Sequence, residues 1–272
     1  VGRIRAWSRS EPWRVVPAGA AILLVLVQIA YPLSGGDARD RITVAVVVLS
    51  AATALLHAWT TRGGGWALGF FAVVSGVGLG AEMVGTATGF PFGAYTYAVD
   101  RLGPAVAEVP LVIPLAWTGG LYPIWVVAGL LTGSPVGRAG LLVVGAVGWD
   151  LFLDPQMVAD GQWTWAVTDA GLPGLPQIPY TNYLGWALVA AVMALLLTVL
   201  DRVLAPAHDR TVAVPVAVFG WTWLGSTLAH AVFLGLPASA AWGFTGLGLL
   251  GIPLLLRARR RATRADDPRS RG

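Results

Sequence analysis

Three acidic residues stand in stretches otherwise apolar enough for lipid. Glu82 is followed by Met83-Val84-Gly85-Thr86, and Asp150 and Asp154 occur in the string GWDLFLDP. Their i,i+4 spacing puts the two aspartates on one helix face. A carboxyl group in hydrocarbon is expensive and by default functional. Desolvation and like-charged neighbours both favour the neutral form of a carboxyl group, so the three are candidates to hold a proton and hand it on. Pro155 disfavours helix at the preceding residue, which predicts that Asp154 sits at or just past the last turn. The structural alternative is that these acids are interfacial and solvated, or pair with Arg101. Asn182 follows Thr181 just before an apolar run and reads as a helix N-cap. His57 and His230 read as packed structural residues. With three His, no Cys and no His pair at i,i+3 or i,i+4, a zinc or di-iron site is not expected.

The elements that must position these acids are set by hydropathy. The 272 residues are 56% hydrophobic and 12% charged, with mean hydropathy +0.69, whereas a globular domain carries roughly 25% charged residues. Apolar runs near the roughly 20 residues that cross a bilayer fall at about 15–33, 42–60, 66–85, 109–131, 139–154, 183–201, 212–235 and 239–256. Backbone groups unpaired in hydrocarbon restrict the choice to helices or a closed barrel, and the period-2 alternation of barrel strands is missing. The expectation is an all-α polytopic membrane bundle of about eight helices. One transmembrane domain would occupy 1–256, and a basic, disordered tail 257–272.

All 18 basic residues are arginine. Arg3, Arg5, Arg9 and Arg14 precede the first run, Arg62, Arg138, Arg202 and Arg210 fall in alternate loops, and Arg257, Arg259, Arg260, Arg261 and Arg264 follow the last. Only Arg39, Arg41 and Arg101 occupy the other loops. The positive-inside rule then makes both termini cytoplasmic and the protein a multi-pass protein of the cell membrane. The same rule accounts for the pI near 10.0 without a nucleic-acid partner; the partner implied is the lipid bilayer. The first run is longer than a secretory h-region and is read as a retained helix. Two connections, about 86–108 and 155–182, exceed the usual 2–8 residues between bundle helices. Rich in Gly, Pro and aromatics, they are expected to fold over the outer end of the bundle as caps.

EMVGTATGFPFGAYTY, then VPLVIPLAW, GWDLFLDP, GQWTW and IPYTNYLGW, in this order, resemble the membrane carotenoid hydratases of the bisanhydrobacterioruberin hydratase and γ-carotene 1'-hydroxylase type. The resemblance runs from about Glu82 to Trp186; beyond it only hydropathy matches. Tyr183 departs from it, standing where Phe is expected. It implies addition of water to a terminal isoprenoid double bond of an acyclic C40 or C50 carotenoid, giving a tertiary alcohol without a cofactor. Such a reaction needs a protonated carboxyl near neutral pH, a role open to Glu82, Asp150 or Asp154. Aromatic faces steady a cation, which suits Tyr95, Tyr97, Trp117, Trp163 and Trp165. A second carboxylate or Asn182 would hold the water. Other carotenoid-biosynthesis membrane enzymes are possible partners.

Three alternatives compete. DLFLD resembles the Asp-rich, Mg²⁺-binding motifs of membrane prenyltransferases, yet the basic groups that a diphosphate needs are scarce, Arg101 being the nearest. Intramembrane acids also mark transporters, where interrupted helices come in matched halves; Pro110, Pro114 and Pro123 interrupt the fourth run without a symmetrical counterpart. A structural partner of carotenoid enzymes is the third, favoured if the acids prove dispensable.

Overall fold

A computed structural model describes residues 15–167, 170–204 and 211–265, with side chains to residue 260. Arg3, Arg5, Arg9, Arg14 and Arg210 lie outside the described residues, as do the side chains of Arg261 and Arg264. Eight described helices are long and apolar enough to cross a membrane. They are α1 (Val16–Ala30, its span completed by a 3-10 turn at Tyr31–Leu33), α2 (Gly36–Arg62), α3 (Gly64–Thr88), α4 (Val112–Leu131), α5 (Pro135–Ala159), α6 (Tyr180–Val203), α7 (Ala213–Leu228, its span completed by a π turn at Ala229–Phe233) and α8 (Pro237–Ala265). The protein is a multi-span helical membrane bundle.

α4 is its axis. In its most apolar stretch 78% of residues are buried, against 22% for α1 and α7, and it packs on α2, α3, α5, α7 and α8. α1 and α7 therefore form the rim. α8 runs unbroken past Arg257 to Ala265, so no break falls at 257; 266–272 lie outside the described residues.

The connections after α3 and α5 are ordered as short ribbons. β1 (Tyr95–Tyr97) pairs antiparallel with β4 (Trp163–Trp165), register Tyr95 to Trp165 and Tyr97 to Trp163. β2 (Ala105–Val106) pairs with β3 (Val109–Pro110), and β5 (Gly171–Leu172) with β6 (Leu175–Pro179). Alternate strand residues face opposite sides: in YTY and WTW the threonines are exposed, and Tyr95, Trp163 and Trp165 are buried towards the helices. Three-residue alternations are too short to register as strands in a hydropathy reading.

The fifth helix corrects an expectation. It continues four residues past Pro155 to Ala159, so Asp154 lies within a helix and not at its frayed end. A proline inside a helix leaves the carbonyl of residue i−4 without its donor. Here that carbonyl is Leu151, and it accepts from Ser239 Oγ at 2.6 Å. The Ser239 hydroxyl, having given its proton to Leu151, takes one from His230 Nδ1 at 2.9 Å. His230 is therefore structural, as is His57, whose nitrogens meet Tyr122 Oη at 2.7 Å and the Thr211 carbonyl at 2.9 Å. Ser239→Ala should cost ~1–3 kcal/mol by leaving a buried carbonyl unpaired, and less when Pro155→Ala restores the backbone donor. Thermal unfolding of the two single variants and the double in detergent measures this coupling; equal costs in both backgrounds would contradict it.

The described arginines separate by end. At one end Arg138 and Arg62 approach Asp201, at 2.6 and 3.8 Å. At the other, beside the ribbons, Arg39 pairs with Asp160 and Arg101 with Asp40, both at 2.7 Å. The positive-inside rule leads us to expect that the ribbon end faces away from the cytoplasm. Cysteine placed at exposed Ala170 in this cysteine-free chain should then react with an impermeant thiol reagent from outside the cell. Labelling only after the membrane is opened would reverse the orientation.

Candidate active site

Glu82 sits in the penultimate turn of α3, on a face cleared by glycine. Gly78 and Gly85, four residues before it and three after, share that face. A Cβ at Gly78 would come within 2.9 Å of the Trp117 ring, and one at Gly85 within 2.7 Å of the Tyr95 hydroxyl. The absent side chains let these groups close on the carboxyl. Its Oε2 accepts from the hydroxyls of Tyr95 and Tyr97, the latter at 2.8 Å. Its Oε1 accepts from Trp117 Nε1 at 3.1 Å. Burial, reinforced by the nearby Glu82 charge, pushes both phenols above the ordinary tyrosine range, so they remain donors.

Asp150 and Asp154 project from one face of α5 towards the start of α6. The amide of Asn182 donates to Oδ2 of both, to Asp150 at 2.9 Å. Asn182 is thus no N-cap: α6 begins at Tyr180 after Pro179, and Asn182 lies in its first turn with its side chain turned across to the acids. Asp154 Oδ1 accepts from Trp163 Nε1 at 3.2 Å, whereas Asp150 Oδ1 is buried without a described protein partner. Glu82, Asp150 and Asp154 are 5, 0 and 3% exposed, so they are not solvated interfacial acids. Nor do they pair with Arg101. Its guanidinium forks onto Asp40 and reaches the Asp160 carbonyl at 2.6 Å.

Glu82, Asp154 and Asn182 line one cavity of about 50 Å³ beneath the β1–β4 ribbon. Tyr95, Tyr97, Trp117, Trp163 and Trp165 all reach it. Asp150 does not line it and stands behind Asp154 and Asn182. The structure adds Phe92, Trp149 and Trp186 to the wall. Trp186 stacks on Trp117 at 3.9 Å between centroids, and Trp149 meets it edge-on at 5.5 Å. One signal for Trp186 was available, since its i,i+4 spacing from Asn182 places both on one face of α6. Tyr183, the departure from the family string, is buried with its hydroxyl unpartnered among the described residues and does not reach the cavity. Among the described residues no group of three or more His, Cys, Asp or Glu is placed to hold a metal ion.

The arrangement is acids set in an aromatic wall, within the membrane-spanning body. It can donate a proton, accept one, and surround a cation with ring faces. Residues 42–252 match the family model described as "Carotenoid biosynthesis protein". A stretch of 122 residues is 33% identical to the bisanhydrobacterioruberin hydratase of Haloarcula japonica, covering 43% of this chain and 40% of that protein. No solved structure matches. With the family model spanning from α2 into α8 and so taking in every residue of the cavity, the chain belongs to the carotenoid biosynthesis protein family.

Proposed function

We propose that this protein is a carotenoid hydratase, adding water across a terminal isoprenoid double bond of an acyclic carotenoid to give a tertiary alcohol. The observation that carries the reading is the cavity itself, in which two carboxyl groups on different helices, Glu82 and Asp154, face one small space walled by indole and phenol rings. The hydratase name of the Haloarcula relative supports it over the shared part of the chain. A diphosphate-binding reading is disfavoured, because Arg101 is spent on Asp40 and the walls offer rings where phosphates need cations.

In the proposed mechanism Asp154 is the general acid. Two carboxyl groups bridged by a single amide cannot both carry charge cheaply, so the Asp150–Asp154 pair retains a proton. Asp154, the member that faces the cavity, gives that proton to the less substituted alkene carbon. The π electrons form the new C–H bond and leave a tertiary cation on the other carbon, steadied by the faces of Trp117, Trp186, Trp163 and Trp165. A water molecule attacks the cation, and its surplus proton passes to Glu82, which the two tyrosines and Trp117 hold as an acceptor. Return of that proton to the aspartate pair resets the site. Protons balance and no electrons are exchanged. Asp150 and Asn182 are positioning residues.

The reading is tested by producing the chain in a host that accumulates an acyclic carotenoid. Pigments extracted with and without it should differ by one water per hydrated end. An unchanged pigment profile from a correctly inserted protein would contradict the reading.

A further inference from the structure

A second cavity of about 180 Å³ adjoins the acid-lined one. The two share Thr43, Val47, Ala116, Trp149, Leu153 and Met157 as a common wall. From there the larger space runs along α7 from Val218 to Ala229 just past its end, ~16 Å of helix at 1.5 Å per residue. It is lined on another side by Leu24 and Gln28 of α1 and by Tyr31 just past the end of that helix, so it lies between α1 and α7, the two least buried helices. One hydrogen bond between them is described, from Trp221 Nε1 to Gln28 Oε1 at 2.9 Å.

We infer that this second cavity holds the polyene arm of the substrate, an elongated unsaturated hydrocarbon whose reacting end passes the Trp149 partition into the acid pocket. The inference rests on the hydration reading above. Three observations carry it. The acid-lined space is less than a third the size of its neighbour and cannot take the long chain attached to the reacting end. Several polar groups that border the larger space are committed to protein partners: Gln28 accepts from Trp221, Tyr31 donates to Asp160, and Thr43 donates to the Arg39 carbonyl. What is left to a guest is then largely apolar surface. Finally, the shared wall is a single layer of side chains, with Trp149 lying on Gly120 so closely that a Cβ there would stand 2.3 Å from its ring. Trp149 is thereby fixed at the junction, where it sets how far a chain enters.

Lycopene, an acyclic C40 carotene, is the probe, and the full chain in lipid nanodiscs is the protein. Binding is read by quenching of tryptophan fluorescence and by pigment retained after washing, and hydration by mass. Thr222→Phe and Ser226→Leu, each filling the larger cavity from α7 without touching the acid pocket, should weaken binding by about tenfold or more, an amount equal to ~1.4 kcal/mol. Ser226→Ala, which adds no bulk, should bind as wild type. Asp154→Asn should bind normally and hydrate ~10²–10⁴ times more slowly. Wild-type binding without hydration would sink the hydration reading and leave the cavity assignment standing. Normal binding by both filled variants, equal loss in Ser226→Ala, or no binding by the wild type would overturn the assignment.

Discussion

Asp154→Asn is expected to lower hydration by ~10²–10⁴ in rate while the protein stays inserted and still binds carotenoid. The amide keeps the shape of the side chain and removes the proton that the alkene must receive. Its oxygen can still accept from Trp163, which now donates to Oδ1 at 3.2 Å. The aspartate behind it should behave differently. Asp150 does not face the cavity, so Asp150→Asn is expected to leave a slower enzyme whose pH profile shifts, because the partner that makes Asp154 keep its proton has lost its charge. Mass analysis of pigment from purified variants across pH separates the two roles. Equal and complete loss in both would mean that the pair acts as one unit, and near wild-type turnover in Asp154→Asn would remove it as the acid.

Glu82→Gln is expected to abolish hydration and also to loosen the ribbon that closes the site. The carboxyl accepts from three donors, Tyr95, Tyr97 and Trp117. An amide offers one oxygen and turns an NH₂ group towards the rest, so at least one buried donor loses its partner at ~1–3 kcal/mol. Loss of product should therefore come with a lower unfolding temperature and faster proteolysis in 89–111. A Glu82→Gln protein as stable as wild type would show that the three donors do not depend on the carboxylate. Full activity would remove Glu82 from the mechanism.

The sequence marked the acids because their chemistry is conspicuous against an apolar background: a carboxylate among Val, Leu and Gly is costly, and an i,i+4 spacing of the aspartates fixes a shared face. It also marked the eight spans, since hydropathy depends on little beyond composition. Other features depended on tertiary partners that a local reading does not contain. Pro155 looked like a helix end because the donor that replaces its missing N–H is Ser239, on another helix. Asn182 looked like a cap because the aspartates that capture its amide lie about thirty residues earlier in the chain. Trp149 and Trp186 were hidden as two more apolar residues in apolar helices, and only their edge-on meeting across α5 and α6 makes them a wall. Tyr95, Tyr97, Trp163 and Trp165 were identified as a group through the family resemblance; their side-by-side placement is a product of strand pairing between distant loops.

The most direct test of the central claim follows the atoms of water into the product. Purified protein in lipid, given lycopene in H₂¹⁸O and, separately, in D₂O, should yield an alcohol that carries ¹⁸O on the tertiary carbon and one non-exchangeable deuterium on the adjacent carbon. Molecular oxygen should contribute no atom, and Asp154→Asn should form neither label. A product whose oxygen comes from O₂, or a tertiary alcohol without carbon-bound deuterium, would contradict protonation of the alkene followed by capture of water.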